Sequence, residues 1–84
     1  MSVEIAMRIG NLLAAKLQAH RPDRYVVNTL ANGGTVTLSV AWPCGDGETV
    51  ELRKHYALDG LSGLQGREQQ EADRLCGIVQ RADQ

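Results

Sequence analysis

Through the first twenty residues the apolar side chains Ile5, Ile9, Leu12, Leu13 and Leu17 recur at spacings of three and four, with Ala6 and Ala14 beside them. That spacing lines one face of an amphipathic helix. Ser2 is placed to cap its start, and Arg8, Asn11, Lys16 and Gln18 fall mostly off the stripe. The helix should stop near His20, because Arg21 precedes Pro22 and is pushed out of the α region.

The period then changes to two. Thr35 to Trp42 puts Val36, Leu38, Val40 and Trp42 on one face and Thr35, Thr37, Ser39 and Ala41 on the other, the signature of a strand with one side buried. Glu48 to Leu58 repeats the alternation, with Val50, Leu52, Tyr56 and Leu58 opposite Thr49, Glu51, Arg53 and His55. Lys54 interrupts the apolar row, as a snorkelling or edge-strand lysine does. Tyr25 to Leu30 is a third strand, joined to the next by Ala31-Asn32-Gly33-Gly34.

Loop length decides which face of that first strand is buried. A two-residue Asn32-Gly33 turn, the favoured reading, sets Tyr25, Val27 and Thr29 beside Val36, Leu38 and Val40, whereas a three-residue loop sets Val26, Asn28 and Leu30 there. In either register some apolar side chains of this strand point away from the helices. The second hairpin, through Pro43-Cys44-Gly45-Asp46-Gly47, needs an odd loop of three or five residues to keep both apolar rows on one side.

The last helix is expected from Ser62, where Ser62 and Gln65 fit a capping box, with Leu64, Ala72, Leu75, Ile78 and Val79 as its apolar side. Gly66 and Gly77 each weaken it by about 1 kcal/mol relative to alanine. These elements predict a single α+β domain over residues 1–84: helix, three-stranded antiparallel meander, helix, with both helices on one sheet face.

Composition adds a constraint on size. A chain of 84 residues buries only roughly 60–65% of its unfolded surface, and with no Phe, two Tyr and one Trp its core must come from Leu, Val, Ile and Ala. Self-association is one way a domain with so light a core gains burial. Apolar residues at 43% and charged residues at 23% exclude a disordered chain. The net charge of −1 gives no dominant phosphate-binding footprint and so argues against nucleic acid as a partner. The absence of a long apolar run or a basic leader argues for a soluble, cytoplasmic protein without membrane contact. Cys44 and Cys76 are expected to be free thiols.

Few residues offer chemistry. Cys44 sits in a loop where a thiol is accessible, and a thiol-dependent enzyme would pair it with His55, the nearest candidate base; an inert loop cysteine is the simpler reading. Cys44, Cys76, His20 and His55 lack ligand spacing, so no metal is expected. Asp46-Gly47-Glu48 reads as a turn rather than a calcium loop, and Gly60, Gly63 and Gly66 read as flexibility before a helix rather than a phosphate cradle. No cofactor or small-molecule ligand is implied. Arg21, Arg24, Arg53 and Lys54 would form a basic patch if the two regions met in space.

The helix–strand–strand–strand–helix order resembles that of the double-stranded RNA-binding domain, whose members contact phosphates with a lysine cluster opening the last helix. Here that stretch reads Arg67-Glu68-Gln69-Gln70-Glu71, and its glutamates would repel a phosphate backbone. The resemblance is one of element order, and fold-level likeness does not transfer function.

The expectation that follows is a non-enzymatic protein-interaction module that binds a partner protein or itself, with Tyr25, Val26, Leu30, Arg53 and His55 as its candidate surface. In size and style the chain resembles small accessory or inhibitor proteins of phages and mobile elements.

Overall fold

The computed structural model describes residues 2–84; Met1 and the side chain of Ser2, and with it the capping role expected there, lie outside the described residues. Helix α1 (Ser2–His20) buries Ile5, Ala6, Ile9, Leu13 and Leu17, while Leu12 is only half-buried at the margin of the stripe. It ends where Pro22 requires. The Arg21 N–H still donates to Leu17 O at 2.9 Å, and Asp23 then turns the chain at φ 61°. Gln18 holds that left-handed residue, accepting from the Asp23 N–H at 3.1 Å and donating to its carboxylate at 3.4 Å.

Strands β1 (Val26–Asn32), β2 (Thr35–Cys44) and β3 (Glu48–Ala57) form an antiparallel sheet in the order β1-β2-β3. Asn32 pairs with Thr35, so the first turn is Gly33-Gly34, one residue later than the expected Asn32-Gly33. Gly33 takes φ 64°, which leaves Asn32 free to remain in the strand. The turn has two residues, as favoured, and the faces follow: Val27 opposes Val40, Thr29 opposes Leu38, and both lie on the helix side. The second hairpin uses the three-residue loop Gly45-Asp46-Gly47, with Cys44 paired to Glu48, and keeps Trp42, Val40 and Val36 in line with Val50, Leu52 and Tyr56.

The second half departs from the capping-box expectation. Leu58 leaves the strand and opens a short helix α2 (Leu58–Leu61), followed by a 3₁₀ turn at Ser62–Leu64. Ser62 is not a cap of the last helix: its hydroxyl donates to Asp59 O at 3.0 Å. Leu61, fully buried, plugs this turn into the core, and Gly66 at φ 83° breaks any continuous helix through residues 62–68. Helix α3 therefore spans Glu68–Ala82 and starts at Arg67 without a side-chain cap. Leu64 belongs to the turn, while Ala72, Leu75, Cys76 and Val79 are the apolar residues α3 buries.

Both long helices lie on one sheet face, but unequally. α1 approaches β1 and β2 directly, whereas α3 packs mainly against α1. Ion pairs link Arg8 to Glu68 at 3.1 Å and Lys16 to Asp73, so the two helices run parallel. The close approach of α1 depends on Gly10, where a Cβ would stand 2.8 Å from Thr29 Oγ1 and 3.2 Å from Leu38 Cδ2. Gly10→Ala should thus be destabilising by about 1 kcal/mol or more, although alanine is the better helix former by a similar amount. Urea unfolding of the two chains measures the difference, and a more stable alanine variant would refute the close-approach account.

Candidate functional site

Since α3 sits beside α1 and reaches β3 only at Tyr56, the helix side of β3 is covered at that end and left partly open along Val50 and Leu52. A groove of ≈ 210 Å³ runs there, floored by Leu38, Val40, Leu52, Leu75 and Ile78 and rimmed by Arg53, Lys54 and Arg74. Val50 and Leu52, whose row on β2 is fully buried, are only half-buried on β3. β3 is also a sheet edge, so every second residue turns its backbone N–H and C=O to open solvent. On the opposite face a shallow polar depression is lined by Leu30, Thr37, Glu51, Arg53 and His55. Arg53 borders both hollows.

Besides Glu68, whose partner is Arg8, two enclosed carboxylates hold the helix that forms the groove's far wall. Glu71 accepts from the Tyr56 hydroxyl and from Arg74, the latter at 3.0 and 2.8 Å. Burial pushes the Glu71 carboxyl up, but Arg74 and Tyr56 outweigh it and leave the group below its ordinary value; burial and the same bond push the Tyr56 phenol up. Asp83, just past the end of α3, accepts from Arg24 at 2.8 and 2.6 Å, from the Tyr25 hydroxyl at 2.5 Å and from Arg21 at 3.4 Å. The Arg24 bonds hold its carboxyl well below the usual carboxylate range, against the opposing effect of burial.

These contacts decide where the candidate residues of the sequence fall. Leu30, Arg53 and His55 do meet, since Leu30 and His55 flank Thr37 in one row of the outer face and Arg53 lies in the next. Val26 stands on that face further along and, like Leu30, is more than half exposed. Tyr25 does not join them: its ring packs edge-on against Trp42 at 5.9 Å, and its hydroxyl is bonded to Asp83. The basic patch is divided. Arg21 and Arg24 turn to Asp83, Arg53 pairs with Glu51 at 2.6 Å, and the Lys54 ammonium lies 5.6 Å from the Tyr56 ring centre.

Cys44 and His55 sit at opposite ends of the sheet, paired with Glu48 and Thr37, so no thiol–imidazole pair forms. His55 Nδ1 lies 2.8 Å from the Thr37 hydroxyl. Cys76 is buried, and that burial pushes its thiol up, away from reactivity. Among the described residues no three His, Cys, Asp or Glu side chains gather as a metal site, and no helix is long and apolar enough to cross a membrane. The glutamates opening α3 are structural partners, Glu68 to Arg8 and Glu71 to Tyr56. No known family, curated protein or solved structure matches the chain.

The groove leaves no signal in the sequence, because Leu52 and Ile78 each look like ordinary core positions within their own elements. Only the seating of α3 on α1 leaves them facing an opening.

Tyr56→Phe should cost about 1–2 kcal/mol, since it removes a bond to a buried carboxylate, and denaturant titration at neutral pH measures it. The Asp83 effect has a defined pH sense. A carboxyl depressed in the fold contributes stability above its unfolded value near 4, and that contribution is lost as pH falls. Asp83→Asn should lower stability at pH 7 and flatten its decline between about pH 5 and 2, leaving the part due to Glu71. An unchanged pH profile would remove Asp83 as the acid-sensitive tie.

Proposed function

We propose that the chain is a protein-interaction module, not an enzyme, and that it works through β3. The observation that supports this reading is the uncovered flank of that strand, where an apolar floor, a cationic rim and free edge hydrogen-bonding groups occur together. An added strand or amphipathic segment uses such a place twice over, with backbone bonds along the edge and apolar anchors in the groove. The pairing of Arg21, Arg24 and Arg53 with carboxylates within the domain divides the expected basic patch and, with a net charge of −1, disfavours nucleic acid as the partner. Free Cys44 and Cys76 suit a reducing compartment, and we place the protein in the cytoplasm. A small accessory or inhibitor protein acts in this manner, by occupying a partner rather than by transforming a substrate.

The test is retention of a protein from the source lysate by the immobilised chain. Leu52→Asp, which puts a charge in the groove floor, should abolish retention, while Leu30→Asp on the outer face of β1 should preserve it, both with native circular dichroism. Equal retention by both variants, or no retention by a wild type that also fails to self-associate, would sink the reading.

A further inference from the structure

We infer that the partner on the β3 edge is a second copy of this chain, joined by two-fold antiparallel pairing of β3 with β3 about Leu52 into one six-stranded sheet. The inference rests on the reading of β3 as the working edge and names its occupant.

The charges of the strand itself supply the argument. In a two-fold antiparallel pair one residue must stand opposite its own copy, and opposed residues share a face. Placing Glu51, Arg53 or Lys54 on the axis sets like charges directly against each other, which destabilises a ladder. Placing Val50 there pairs only the first half of the strand. With Leu52 on the axis, Glu51 of each copy faces Arg53 of the other, twice, on the outer face, while Thr49 faces His55. On the helix side Leu52 meets Leu52, and Lys54 opposes Val50 with Glu48 on its diagonal, an opposite charge.

This register runs from Glu48 to Tyr56 and uses nearly the whole of β3. Glu51 and Arg53 already pair along one strand at 2.6 Å, so two copies would close a ring of alternating charge. Charged residues on an edge strand ordinarily keep edges apart. Here their order bars the registers centred on Glu51, Arg53 and Lys54, and of those left only the one centred on Leu52 pairs nearly the whole strand. The same pairing supplies what the helices leave out, because Val50 and Leu52 of each copy gain apolar neighbours on the side α3 does not cover.

Charge exchange tests both the dimer and its register. Arg53 is 62% and Glu51 39% exposed at the side chain, so reversal at either should leave the fold intact by circular dichroism. In sedimentation equilibrium the wild type should self-associate, and Glu51→Arg or Arg53→Glu alone should weaken association about tenfold or more. The double variant Glu51→Arg/Arg53→Glu should recover it, and an equimolar mixture of the two single variants should form a heterodimer. A wild type that stays at 9.1 kDa at the highest concentration reached overturns the dimer, while the retention experiment with Leu52→Asp separately decides whether β3 binds some other protein. A dimer that ignores these charges but is lost in Leu30→Asp assigns the contact to β1 and overturns the proposal as well.

Discussion

A carboxylate taken out of water has to be bonded where it stands, and this requirement positions α3. Glu68, Glu71 and Asp83 are all largely enclosed, and each is bonded to another element: Arg8 on α1, Tyr56 on β3, and Arg24 with Tyr25 ahead of β1. Three such points along one helix fix its rotation, height and slide together. Apolar packing against α1 supplies the burial but is non-directional. The groove beside β3 follows from the ties, since a helix held to α1 at Glu68 and to β3 only at Tyr56 cannot roll over to cover Val50 and Leu52.

Local pattern revealed most of the first half of the molecule. The stripe of α1 and the alternation of β2 are strong because one residue type repeats on one face, and both hairpins were constrained by the parity of their loops. Parity also explains why shifting the first turn by a residue did no harm: Gly33-Gly34 and Asn32-Gly33 are both even, and Val27 faces inward with either. The start of α3 differs from the sequence expectation because Ser62 and Gln65 satisfy a local motif, while the features that override it, the buried Leu61 and the left-handed Gly66, depend on tertiary packing and backbone angle. Glu68 and Asp83 carry no local signal at all. Their partners lie some sixty residues away, and Asp83 in isolation is one more polar residue after a helix.

The candidate surface divides along the same line. Leu30, Arg53 and His55 could be grouped from strand alternation, since a shared face is a local property once the register is set. Tyr25 could not be assigned, because its role depends on Asp83 and Trp42. Of the four cations of the expected patch, Arg53 and Lys54 have partners two residues away on their own strand, whereas Asp83, the partner of Arg21 and Arg24, lies some sixty residues off and is not disclosed by the order of the chain.

The ties of α3 also set an order of assembly. The meander joins residues close in the chain and closes through turns of two and three residues, whereas Arg8–Glu68 and Arg24–Asp83 each close a loop of some sixty residues. The entropy of closing such loops is met late, after the hairpins and α1 have formed a surface to receive the helix. Read backwards, the same hierarchy makes α3 the first element to come away when the native state fluctuates, a partial opening that lays the floor of the groove bare while the sheet stays intact.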